Sequence, residues 1–189
     1  MAIQSVLNQT YKDFEIIVID DASTDGTKEA LNKLDDERLR YIQHKENRGP
    51  AATRNTGIKA SNGEFIAFLD DDDEYLPDKL ERQLEMLEAS RPDVGLVYAG
   101  VLSVDHDGKI IGWRLPSKSL WSGLWHHDFI GATPLMRKEC SGKVGLFDED
   151  LHYYEDKDMW LRISDKYSFA FVKARLYKAR MHPEKLGAN

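Results

Sequence analysis

Apolar positions along the first part of this chain fall into short runs separated by polar segments, and the period of the pattern alternates. Phe14–Ile19 is a β-branched run of the kind found in buried parallel strands. Thr27–Leu34 then reads as a helix, with Ser23 or Thr24 available to cap it. Leu39–Gln43 predicts a second strand. After the loop Lys45–Gly49, Pro50 fits a first helical position and Ala51–Ala60 continues as helix. Ser61-Asn62-Gly63 predicts a turn before the apolar run Phe65–Leu69, taken as the central strand. Ahead of all this, Ala2–Leu7 places Ile3, Val6 and Leu7 at helical spacing, as the end of a helix whose beginning is absent. Strands alternating with helices predict an α/β fold with a mostly parallel sheet and helices on both faces.

The second part is less regular. Pro77–Ser90 predicts an amphipathic helix with Leu80, Leu84 and Leu87 on one face. Val94–Val104 predicts a strand, and Asp107-Gly108 a hairpin turn into Lys109–Gly112. Trp113–Phe129 shows no period. Gly131–Met136 reads as a strand, Glu155–Lys166 as a helix with Met159, Leu161 and Ile163 to bury, and Phe169–Val172 as a last short strand. The tail from Tyr177 is basic and polar. One domain spanning 1–189 is expected, with a nucleotide-binding half over 1–104 and an acceptor-binding half over 105–189.

Composition narrows the function classes. The chain has 189 residues, with 41% hydrophobic and 31% charged positions, as in ordinary globular proteins. A formal charge of −7 argues against a nucleic-acid partner held by phosphate contacts. It suits a metal–nucleotide ligand, whose cation supplies the missing positive charge. Cys140 is the single cysteine, so no intrachain disulfide forms, and a reducing compartment fits. No apolar run approaches a membrane span, and Met1–Asn8 lacks the basic start and apolar core of a signal peptide.

The candidate chemistry lies just past the carboxyl ends of two predicted strands, at Asp20-Asp21 and at Asp70–Asp73. Ligands of open α/β sheets bind there. Adjacent carboxylates repel, so a dense acidic cluster is comfortable only when solvated or neutralised by a hard cation such as Mg²⁺ or Mn²⁺. A solvated acidic surface remains open. A phosphatase-like Asp-x-Asp site wants Thr or Val two places after its second acid, whereas Asp72 is followed by Asp73 and Glu74. A receiver-type phospho-switch needs a Lys-Pro step that this sequence lacks.

Five stretches in order resemble a family 2 glycosyltransferase of GT-A fold, with inverting chemistry. They are Ser5–Tyr11, Asp20–Thr27, Asn47–Asn55, Leu69–Pro77 and Glu155-Asp156. The resemblance implies a metal-dependent transfer from a UDP- or dTDP-type nucleotide diphospho-sugar to a glycan or lipid-linked acceptor, in cell-surface polysaccharide synthesis. It implies that Asp21 accepts the imide N–H of a uracil-type base, with Asp20 and Asp25 flanking. Arg54 would face the nucleotide, Asp70 and Asp72 would be the acids of the Asp-x-Asp motif, and Asp71 would contact sugar or ribose. Mn²⁺ or Mg²⁺ would sit on Asp72, with Asp70 and a late histidine, His182. Asp156 would be the general base and Glu155 its support. Taken singly, Asp21 and Asp25 can equally cap a helix, Arg54 can be an exposed charge, and Glu155-Asp156 sits where acids favour a helix start anyway.

His126-His127 read as ordinary loop residues. Trp121 and Trp125 suit either sugar stacking or core packing. Cys140 reads as inert. Relatives in the family begin with a strand before the first helix, and its absence predicts exposed sheet edge covered by a substitute strand or a homodimer. A cytoplasmic location, with peripheral association at the inner membrane face, completes the expectation. A nucleotide-sugar-binding module without turnover is the alternative.

Overall fold

The computed structural model describes residues 1–116 and 130–182. In chain order the elements are α1 (Ala2–Leu7), β1 (Ile16–Asp20), α2 (Thr27–Leu31), β2 (Leu39–Gln43), α3 (Gly49–Ala60), β3 (Phe65–Ala67), β4 (Glu74–Tyr75), α4 (Lys79–Glu88), β5 (Val94–Val104), β6 (Ile110–Arg114), β7 (Leu135–Arg137), α5 (Lys138–Val144), α6 (Glu155–Ser164) and β8 (Ser168–Arg180). Trp121, Trp125, His126 and His127 lie outside the described residues.

β1 and β2 form a parallel pair, as the alternation predicts. The remaining strands form a second sheet in the order β3-β7-β5-β8-β4, with β6 on β5. Of its pairings only β5–β8 is parallel. β3–β7, β5–β7, β5–β6 and β4–β8 are antiparallel, so the sheet is mixed rather than mostly parallel. The connections explain the difference. A helix intervenes between β1 and β2, and between β5 and β8, giving the length a parallel crossover needs. The short Asp105–Lys109 turn reverses the chain into an antiparallel hairpin. β3 ends the sheet, paired only with β7 among the described residues, and is not central.

Helices do cover both faces. Leu96 and Tyr98 of β5 pack with Met159, Trp160 and Ile163 of α6, Ile58 of α3 and Cys140 of α5. Val97 and Ala99 point the other way, onto Leu87 of α4. A bulge at Gly95 resets this alternation, so that Val94 shares a face with Val97. A side chain at Gly95 would bring its Cβ within 2.7 Å of Cys140 Sγ. Burial pushes the Cys140 thiol up to about 12, which makes it a packing residue.

Two polar anchors tie the first residues to this core. Gln9 is fully buried, donating to the Leu76 carbonyl at 2.7 Å and accepting from the Leu80 N–H at 3.0 Å. Glu15 accepts the N–H groups of Asn62 and Gly63 ahead of β3.

Candidate functional site

β1 delivers Asp20 and Asp21 to the loop that precedes α2. Asp20 is 4% exposed. It accepts the Ser23 N–H at 2.7 Å, the Tyr41 hydroxyl and the Gln43 amide. Burial alone would raise its carboxyl, but the bonds from Tyr41 and Ser23 outweigh it and hold the group below the usual range. Asp21 accepts His44 Nδ1 at 2.6 Å, the Arg48 N–H at 3.0 Å and the Gly49 N–H at 2.8 Å. Burial again pushes upward, and these three donors bring the group down. Asp21 therefore ties the start of α3 to β1. Asp25 is exposed and accepts the Thr27 hydroxyl and N–H in the turn ahead of α2, bonds that keep its carboxyl low.

Arg54 on α3 joins two distant motifs. Its guanidinium bonds Glu155 Oε1 at 2.5 Å and Asp70 Oδ1 at 3.2 Å. Burial works against its charge, and the facing Asp70 and Glu155 more than compensate. The next residue of the same helix, Asn55, bonds the backbone N–H and C=O of Phe147, both at 2.9 Å. The acidic turn after β3 and the start of α6 thus meet around α3.

Asp73 N–H donates to the Asp70 carbonyl at 3.2 Å, closing the acidic turn. Asp71 is exposed, Asp72 is half-buried and Asp73 is buried. Asp72 Oδ2 lies 2.7 Å from His182 Nε2. Asp73 accepts the Tyr177 hydroxyl at 2.8 Å and the Arg180 N–H at 2.7 Å. The expected set of Asp70, Asp72 and His182 does not converge within a common 4.8 Å, because Asp70 turns to Arg54. Among the described residues, the acid–imidazole trio that does lie that close is Asp105, His106 and Asp107 in the hairpin turn, where Asp105 already accepts two backbone N–H groups.

Asp156 sits half-buried in the first turn of α6, beside buried Glu155. Tyr154, which precedes them, holds φ +61°, and Ala22, which follows Asp21, holds φ +64°. These are the described non-glycine residues with positive φ, and both adjoin site acids.

The sequence singles out Asp20, Asp21, Asp25, Arg54, Asp70, Asp71, Asp72, Glu155, Asp156 and His182, names Asp73 only as a member of the acidic cluster, and misses His44, Asn55 and Tyr177. Asn55 had a signal, since it falls in helical register with Ala51, Ala52 and Ile58 on a buried face. His44 had none, because its bonds to Asp21 and Thr56 are made only once β1, β2 and α3 assemble.

Comparison with known proteins fits this arrangement. The profile of Glycosyl transferase family 2 matches residues 1–151. An uncharacterized glycosyltransferase of Rickettsia felis is 37% identical over 186 residues, covering 95% of this chain and 30% of the relative. The Escherichia coli enzyme WfgD, named as a UDP-Glc:alpha-D-GlcNAc-diphosphoundecaprenol beta-1,3-glucosyltransferase, is 30% identical over 162 residues, 86% of this chain and 62% of that one. The chain thus spans about 30% of the length of the Rickettsia felis relative. The crystal structure of S. aureus TarS 1-349 in complex with UDP superposes with a TM-score of 0.70 at 22% identity, covering 98% of this chain and 57% of that one. No helix among the described residues is long and apolar enough to cross a membrane. The order of the motifs, the acids gathered around α3 and the match over residues 1–151 agree: the chain has the GT-A fold and belongs to glycosyl transferase family 2.

Proposed function

We propose that this chain moves a sugar from a nucleotide diphospho-sugar of UDP or dTDP type to a hydroxyl of a glycan or lipid-linked acceptor, inverting the anomeric centre, in the building of a cell-surface polysaccharide. The observation that carries the reading is Arg54, bonded at once to Asp70 and Glu155. It sets the acidic turn and the acid-bearing start of α6 around one cationic centre. In the proposed step Asp156 takes the proton of the acceptor hydroxyl. The acceptor oxygen bonds to the sugar C1 from the face opposite the diphosphate, and the C1–O bond breaks with its electron pair leaving on the diphosphate. Glu155 holds Arg54 and through it the geometry of the turn.

On the donor side, Asp21 is assigned to the base. An ionised carboxylate is an acceptor only, which suits the imide N–H of a base, and the Arg48 N–H is shared between the two Asp21 oxygens at 3.0 Å each. Asp20 and Asp25 shape that loop, and Asp71, exposed at the turn's tip, is assigned to sugar or ribose. Asp72 supplies the carboxylate oxygen that a Mn²⁺ or Mg²⁺ ion prefers, and His182, its imidazole nitrogen 2.7 Å away, would be the nitrogen donor beside it, with Asp70 left out. Such an ion supplies positive charge against the departing diphosphate. A lipid-linked acceptor would place the reaction at the inner membrane face. Asp156→Asn should abolish sugar release to acceptor or water while UDP binding persists. Undiminished turnover in that variant would remove Asp156 from the role.

A further inference from the structure

The acids Asp70–Asp73 do not share one environment. Asp71 and Asp72 occupy the tip of the turn, while Asp73 points back into the protein and is 8% exposed. Its two oxygens are taken by β8: Oδ2 by the Tyr177 hydroxyl at 2.8 Å and Oδ1 by the Arg180 N–H at 2.7 Å. Tyr177 stands opposite Tyr75 in the β4–β8 register, with ring centroids 5.9 Å apart. The Tyr75 hydroxyl in turn donates to the Phe68 carbonyl at 2.7 Å, just before the turn. Lys178 pairs with Glu74 at 2.8 Å. The turn is therefore fastened to the end of β8 from both sides. That strand end leads straight to His182, whose Nε2 sits 2.7 Å from Asp72 Oδ2.

We propose that Asp73 and Tyr177 are positioning residues, a clamp that sets His182 against Asp72 and so assembles the divalent-cation pair. The inference rests on the metal reading above. Neither residue is assigned to the ion itself. β5 holds this end of β8 as a strand, with Tyr177–Arg180 opposite Val101–Val104, so the Asp73 bonds fix where the acidic turn sits against the strand and hence against His182.

The test is Mn²⁺ affinity of the whole chain, by calorimetry without nucleotide or turnover. Tyr177→Phe keeps the ring and removes only the hydroxyl, so the variant is expected to fold, which its melting curve checks. Its Mn²⁺ affinity should fall between about 10- and 100-fold, as for partners that orient a metal ligand. In a His182→Ala background the same change should cost less than about twofold, because the histidine it positions is gone. Unchanged affinity in Tyr177→Phe overturns the clamp alone. So does an undiminished loss in the His182→Ala background, which would mean general loosening. A wild-type chain that binds no Mn²⁺ overturns the metal reading and the clamp with it.

Discussion

Two acidic loops follow two strand ends, and they divide labour in the same way. After β1, Asp20 is 4% exposed and Asp21 is spent on fastening α3. After β3, Asp73 is 8% exposed and fastens β8, while Asp71 and Asp72 face outward. In each loop one buried carboxylate, Asp20 or Asp73, folds the backbone. The difference is electrostatic. Asp20 lies near His44, and its donors hold it low. Asp73 shares its turn with Asp72 and Asp70, and burial together with those charges pushes it up to about 6 despite its bonds to Arg180 and Tyr177.

The largest expected effect is on the first loop. Asp20→Ala strands the Tyr41 hydroxyl and the Ser23 N–H, and should cost about 3 kcal/mol in urea unfolding. A loss below about 1 kcal/mol would show that the loop does not depend on this acid. Next, Arg54→Ala leaves Glu155 buried and uncompensated beside the turn. It should lower both stability and donor turnover, and a change in turnover alone would separate the helix from the fold.

The acid limb sharpens the contrast. Asp20 has a folded pKa below its unfolded value, so its stabilisation is present above about pH 3.9 and is lost as pH falls through the folded value. Asp20→Asn should therefore flatten the decline in melting temperature below about pH 4, measured by calorimetry. An unchanged slope would place the acid sensitivity elsewhere. The smallest effect belongs to Asp71→Asn. With Asp71 exposed at the tip, the urea midpoint should stay put while donor affinity falls. A shifted midpoint would give Asp71 a folding role that the comparison denies it.

Much of this was legible in the residues. Leu39–Gln43 and Val94–Val104 read as strands with the boundaries they have, as apolar runs set between polar segments. α5 was not legible: Lys138–Val144 carries no apolar period, and its helix is held by burying Cys140 against Gly95. The apolar run Phe169–Val172 predicts a strand ending at Val172, yet β8 runs to Arg180. Its polar end is strand only because β4, β5 and Asp73 supply partners distant in sequence. The same holds within the acidic cluster. Counting acids finds the turn, but which acid turns inward depends on Tyr177, more than a hundred residues away.

If the two loops border one nucleotide site, nucleotide together with Mn²⁺ raises the melting temperature of the chain. The chain would be heated with UDP, dTDP and GDP, each with and without Mn²⁺. A ligand that binds only the folded state at about 100 times its Kd adds about 2.7 kcal/mol, a readily measured rise. A Mn²⁺-dependent rise is expected with UDP or dTDP and little with GDP, retained in Asp156→Asn and lost in Asp72→Asn. No rise with any nucleotide, with or without Mn²⁺, would contradict it.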